Sequence, residues 1–140
     1  MARRHWLVKS EPNKYSWDDL VKDGSTYWDG VRNAQARNNL LEMRVGDRVF
    51  YYHSNEGLEV VGVARITRRA YPDPTTDDER WVVVDLVPLR ALERPVSLKQ
   101  IKADAALRDI PLVTQSRLSV MPVEKAAFDY ILALGGTKLR

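Results

Sequence analysis

The sequence predicts one α+β domain, a mixed or antiparallel sheet of five or six strands, curved or closed, with helices packed on it. Three observations point there. At 140 residues the chain has room for one proper core and little more. Short strand-like runs at residues 5–8, 48–53, 58–67 and 81–87 interleave with helix-start signals at Ser16, Asn33 and Ser97. No internal repeat, low-complexity tract or linker divides the chain, so residues 1–140 read as a single unit.

The elements follow in order. Residues 5–8 form a first strand, ended by Pro12, which biases its predecessor away from helix. Ser16 caps a short helix whose first turn carries Asp18 and Asp19, favoured by the positive end of the helix dipole, and Gly24 closes it. Residues 25–33 have no period and read as loop. A helix over 34–43 places Ala36, Leu40 and Met43 on one face. After a turn at Gly46-Asp47, the strand over 48–53 sends Val49, Tyr51 and His53 one way and Phe50 and Tyr52 the other. Ser54-Asn55-Glu56-Gly57 has hairpin chemistry, and Gly62 marks a bulge in the returning strand over 58–67. The acidic, proline-bearing stretch 71–79 reads as a surface loop, and 81–87 as a near-continuous apolar strand. A helix over 98–107 starts at Ser97. Residues 118–120 form a last strand, and Pro122 opens a terminal helix that runs to Leu134 and stops at Gly135-Gly136.

Composition narrows the function classes. The absence of cysteine excludes disulfides, thiolate nucleophiles and cysteine-based zinc sites, and two histidines are too few for a multi-histidine metal centre. No cofactor is implied. No apolar run approaches the roughly 20 residues of a membrane span, so no membrane partner is expected and the location reads as intracellular: cytoplasmic, or nuclear in a eukaryote. A monomer is the simplest assembly. Residues 1–69 hold 12 Lys/Arg against 9 Asp/Glu and residues 70–140 hold 10 against 10, so the whole net charge of +3 lies in the first half. A weakly basic half is compatible with a polyanion, and equally with none.

The chemistry concentrates in four polar segments. Trp28-Asp29-Gly30-Val31-Arg32-Asn33 sets a large flat ring beside an Asp-Gly turn and then three residues without helical or strand period. Such a segment is poor core and good material for a planar, hydrogen-bonding ligand such as a nucleobase. Trp28 offers a stacking face, which tolerates any base, while Asp29, Arg32 and Asn33 offer hydrogen bonds to a base edge, which confer identity. Two alternatives stand beside this: Arg32 as a phosphate anchor, Asn33 as a helix cap. Lys9-Ser10-Glu11 follows the first strand. There Lys9 suits a phosphate, Ser10 a base edge and Glu11 an exocyclic amine, or all three form a solvated strand end. His53-Ser54 are a structural histidine and a turn serine, or a base and nucleophile. Adjacent strand residues project to opposite faces, and no G-x-S-x-G elbow is present, so a hydrolase is disfavoured. Arg117-Leu118-Ser119-Val120 puts a cation and a hydroxyl two residues apart, lining a pocket or serving an ion pair and a turn.

In their order and spacing these segments resemble the EVE domain, a PUA-like fold that includes the thymocyte nuclear protein family. The resemblance rests on Trp6-Leu7-Val8-Lys9-Ser10-Glu11-Pro12, Tyr15-Ser16, Trp28-Asp29-Gly30-Val31-Arg32-Asn33, Ala36-Arg37, Tyr52-His53-Ser54, Val61-Gly62, Tyr71-Pro72-Asp73, Trp81 and Arg117-Leu118-Ser119-Val120. It implies a PUA-like curved mixed sheet or barrel with flanking helices and a central pocket akin to that of YTH domains. It further implies a partner in nucleic acid, DNA with modified cytosines or modified RNA, whose flipped base the pocket accepts. By the resemblance Trp28 is the stacking residue, and Lys9, Ser10, Glu11, Asp29, Val31, Arg32, Asn33, His53, Ser54, Arg117, Leu118 and Ser119 belong to the pocket or its rim. The expected role is a reader without catalytic residues. The rival is an enzyme acting on modified nucleotides, with Asp29, Glu11 or His53 as acid–base groups.

Overall fold

The backbone ladder runs β2-β5-β4-β3-β1-β6 across one open sheet. The structure is a computed structural model that describes residues 3–139. In chain order the elements are β1 (His5–Ser10), α1 (Trp17–Asp23), β2 (Thr26–Tyr27), α2 (Ala34–Glu42), β3 (Arg48–His53), β4 (Glu59–Pro72), β5 (Val82–Ser97), α3 (Leu98–Ala103), α4 (Pro111–Thr114), β6 (Val120–Val123) and α5 (Lys125–Leu134). Four neighbouring pairs are antiparallel, and β1 with β3 is parallel. A parallel pair needs a long crossover, and α1, β2 and α2 supply it. The sheet is therefore mixed, as expected, and among the described residues its two edge strands do not pair to close a barrel.

Local chemistry sets the helix ends. Ser16 and Asp19 form a reciprocal capping box, Ser16 Oγ accepting from the Asp19 N–H and the Asp19 carboxylate from the Ser16 N–H, while Gly24 closes α1 at φ 80°. Asn33 Oδ1 accepts from the Ala36 N–H and starts α2. Ser97 and Gln100 repeat the box at α3.

β3 is the spine of the fold. Val49, Phe50, Tyr51 and Tyr52 are all buried, so both faces of this strand are covered. Phe50 stacks on Phe128 of α5 at 4.2 Å between ring centroids, and His5 leans on the same ring at 4.4 Å. On the other face Tyr51 meets Trp17, Trp28 and His53 edge-on, as the predicted alternation along the strand requires. Beneath the sheet Asp47, almost fully buried, accepts from Trp6 Nε1 and from the Arg4 and Arg44 backbone N–H groups, each at 3.0 Å. Three donors on one carboxylate offset its desolvation and tie the start of β1 to the turn before β3.

Several expectations need correction. β4 and β5 run well past residues 67 and 87, because they pair with each other along nearly their whole length through four register shifts. The stretch beginning at Tyr71 is accordingly strand at first, and Asp73 after it is buried. The loop over 25–33 contains β2, two residues held against Leu86 and Asp85 of β5. The helix over 98–107 ends at Ala103, and a separate turn of helix, α4, follows. Pro122 lies inside β6 opposite Trp6 and α5 starts only at Lys125. β6 is an edge strand, where a missing N–H costs least.

The bulge expected at Gly62 is present, with register shifts at Val60/Gly62 and at Tyr51/Tyr52. Trp17 requires the glycine: a Cβ on Gly62 would stand 2.7 Å from three atoms of the indole. Gly62→Ala must push that ring off the sheet, and overpacking of this kind costs about 1–3 kcal/mol. Urea denaturation of the variant is expected to give that loss, and an unchanged midpoint would count against Trp17 seating on Gly62.

Candidate functional site

A cavity of about 450 Å³ opens at the end of β1. One wall is Lys9, Ser10 and Glu11 with Lys14 and Tyr15 of the following turn; the opposite wall runs from Thr26 through Val31; Ser119 closes the third side. Thr26 and Tyr27 belong to β2 and Ser119 directly precedes β6, and these are the two edges of the sheet. The sheet thus curls until its edges face each other across the cavity, although no ladder joins them.

Each wall is held from behind. The Trp28 N–H donates to the Val84 carbonyl at 2.8 Å, and its indole packs edge-on against Tyr51 at 5.4 Å, leaving it 8% exposed. Arg32 turns away from the cavity and donates to the Val31 carbonyl and to the buried Asp73 carboxylate, both at 3.0 Å. Burial pushes the Asp73 carboxyl up, but hydrogen bonds from Thr75 and Arg32 outweigh it and hold the group below the usual carboxylate range. On the facing wall the Tyr15 carbonyl accepts from both Ser10 Oγ and the Tyr51 hydroxyl, at 2.7 and 2.6 Å. The Lys9 N–H donates to the Ser119 carbonyl and its Nζ to the Ser116 carbonyl. Burial pushes the Lys9 amine down from its ordinary value. Burial and the hydrogen bond to Asp23 push the Tyr15 phenol up to about 12, so it stays a neutral donor at physiological pH.

Of the residues singled out in the sequence, the fold brings Lys9, Ser10, Glu11, Trp28, Asp29, Val31 and Ser119 to this one cavity. It does not bring the others. Arg32 anchors the loop to Asp73, and Asn33 caps α2 while lining an adjacent groove with Arg117 and Leu118. Leu118 is itself mostly buried. His53 Nε2 accepts the Trp17 N–H at 3.0 Å, and the Ser54 N–H donates to the Ser10 carbonyl at 2.9 Å. Neither side chain lines the cavity, and no base–nucleophile pair forms there. The sequence reading missed Lys14, Tyr15, Thr26 and Tyr27 as lining residues. Tyr27 stood next to Trp28, and Tyr15 lay within a matching motif. Thr26 was hidden because a two-residue strand has no period to detect.

Chemically the lining is balanced. Lys9 and Lys14 are matched in number by Glu11 and Asp29, Glu11 and Lys14 pairing at 3.4 Å, and Tyr15, Tyr27 and Trp28 supply flat apolar surface with Ser10, Thr26 and Ser119 as hydroxyls. Such a site suits a planar, polar molecule without net charge. Among the described residues no cluster of three or more His, Asp or Glu side chains has a metal-binding arrangement, and no helix is long and apolar enough to cross a membrane.

Residues 4–134 match the EVE domain. The chain belongs to the EVE domain family. It is 35% identical to chicken thymocyte nuclear protein 1 over 93% of its own length and 68% of the relative's. The solved structure of a protein from Agrobacterium tumefaciens superposes with a TM-score of 0.94 at 44% identity, covering 96% of this chain and 94% of that one. The human THYN1 protein, solved in complex with 5-methylcytosine-containing DNA, superposes with a TM-score of 0.88 at 33% identity, covering 96% and 99%. The fold is accordingly the α+β, PUA-like arrangement of this EVE domain family.

Burial holds both His5 and His53 below the ordinary imidazole value of about 6.5. The unfolded chain then binds protons at a higher pH than the folded one. Stability is expected to be full above about pH 6.5 and to fall as the pH drops below it. His53→Gln, which removes one of the two groups, should make that fall shallower in urea titrations at about pH 7.5, 6.5 and 5.5, values that bracket the ordinary imidazole range. An identical slope in the variant would mean that His53 is not a contributor.

Proposed function

We propose that the chain acts as a single EVE domain that reads nucleic acid by accepting a flipped, modified base, a modified cytosine in DNA foremost, into the cavity beside Trp28. The observation that carries this reading is a charge-balanced, aromatic-walled cavity of about 450 Å³ in a fold that superposes on the human protein solved with 5-methylcytosine-containing DNA. Trp28 serves as the stacking wall and Tyr27, 44% exposed, stands at the rim. Glu11, Asp29, Ser10 and Ser119 offer acceptors and hydroxyls to the base edge, and Lys9 and Lys14 offer donors. Lining by Glu11 and Asp29 favours a base that presents an exocyclic amine, as cytosine does.

The reading is one of binding without turnover. His53 spends its only lone-pair nitrogen on the Trp17 backbone, which supports a structural role over acid–base work. Mass spectrometry of modified oligonucleotides after incubation with the protein tests this directly, and any altered product would overturn it.

Extruding a base costs a few kcal/mol, which stacking and edge contacts must offset. One buried methyl contributes about 0.8 kcal/mol, about a factor of four. Discrimination beyond that requires the polar lining to disfavour the unmodified base. A panel of matched DNA and RNA oligonucleotides carrying cytosine, 5-methylcytosine or 5-hydroxymethylcytosine is expected to bind more tightly when modified, and equal affinities throughout would remove the reader function. Trp28 also belongs to the core, so Trp28→Leu, which keeps apolar bulk and removes the π face, is the informative variant. In folded protein it is expected to weaken binding by about 1–3 kcal/mol, with parental affinity counting against stacking.

A further inference from the structure

A second groove, of about 330 Å³, lies against the cavity and is lined by Asn33, Gln35, Gln115, Ser116, Arg117 and Leu118. No residue lines both, but the same two chain segments contribute to each. Val31 faces the cavity and Asn33 the groove; Ser119 faces the cavity and Arg117 the groove. Between them Lys9 of the cavity donates through Nζ to the carbonyl of Ser116 in the groove, at 2.8 Å. Their charges differ. The cavity sets two lysines against two carboxylates, whereas the groove holds one arginine, no acid, and otherwise amides, a hydroxyl and a leucine. Arg117 is exposed and, like most arginines of the chain, has no acidic partner among the described residues. Its backbone is nonetheless well placed: the following Leu118 is buried and its N–H donates to the Gln115 carbonyl. Asn33 commits its side-chain oxygen to the Ala36 N–H, which leaves its amide NH2 as a donor.

A neutral, polar cavity beside a cationic, donor-bearing groove has the charge pattern of a nucleotide, an uncharged base next to an anionic phosphate. We propose that this groove seats a backbone phosphate of the strand whose base enters the cavity, with Arg117 as its charge partner; the proposal rests on the reader function above. Arg117 then contributes affinity and register without selecting the base.

The test is a salt titration of binding to a single-stranded oligonucleotide carrying one 5-methylcytosine, with the parent, Arg117→Gln and Arg37→Gln. Arg37 also lacks an acidic partner among the described residues, but it does not line the groove: its guanidinium donates to Asn38 Oδ1 at 2.9 Å and stands 5.8 Å from the Trp81 ring. R117Q is expected to bind several-fold more weakly at low salt, equally for modified and unmodified strands. Its slope of log affinity against log salt should be shallower by about 0.7, while R37Q keeps the parental slope. A neutral methylphosphonate at the linkage flanking the modified base should weaken the parent and have no further effect on R117Q. An unchanged slope in R117Q, equal losses in R117Q and R37Q, or additive effects of the methylphosphonate would each overturn the assignment. A parent that binds without preferring the modified base ends the reader function and leaves the slopes readable. One that prefers it yet ignores R117Q ends only the groove, and a parent that binds no oligonucleotide ends both.

Discussion

Tyr51 is the constraint on which the rest of the site depends. Its ring lies in the fully buried centre of β3 and receives Trp17, Trp28 and His53 edge-on at 5.4 to 5.9 Å. Its hydroxyl, pushed up by burial and so never ionised near neutral pH, donates to the Tyr15 carbonyl at 2.6 Å. One side chain therefore sets the position of both walls: the Tyr15 turn through its oxygen and the Trp28 loop through its ring edge. Edge-to-face packing suits this task because it contributes attraction beyond area burial. The clash that keeps Gly62 a glycine belongs to the same cluster, since the Trp17 ring seated on Gly62 also meets Tyr51.

Around this cluster the polar residues divide their labour. Arg32, Asn33, His53 and Ser54 brace segments outside the cavity, whereas Lys9, Ser10, Glu11, Asp29 and Ser119 line it, Lys9 and Ser10 also holding the Ser116 and Tyr15 carbonyls. The pair between half-exposed Arg32 and buried Asp73 illustrates the cost of preorganisation. Asp73 is desolvated, but Thr75 and Arg32 satisfy it, so the carboxylate stays charged and the loop after Trp28 is clamped to the end of β4. A rigid wall of this kind spends little ordering entropy when a ligand arrives.

Much of this was legible along the chain because it is local. The capping box at Ser16 and Asp19, the Asn33 cap, the alternation in β3 and the bulge at Gly62 all follow from residues within a few positions of one another. What escaped is non-local. β2 exists only because Leu86 and Asp85 lie opposite it. The extra length of β4 and β5 comes from mutual pairing, which overrides the loop signal of Tyr71-Pro72. Pro122 looked like a helix start, and an edge position in the sheet made it a strand residue.

The sequence by itself determined the α+β class, the local caps and turns, the family through the order of its motifs, and Trp28, Lys9–Glu11 and Ser119 as residues of special chemistry. Only the tertiary structure decided which of them share a cavity. Arg32 and Asn33 sit in the same hexapeptide as Trp28, yet one binds Asp73 and the other turns to α2 and the neighbouring groove. Thr26 and Ser119 are remote in sequence and lie at opposite edges of the sheet, yet its curl sets them on one cavity. The physical reason is that residue type prescribes what a side chain can bond. Which partner it meets depends on strand order and sheet curvature, and these arise from long-range pairing that no local window contains.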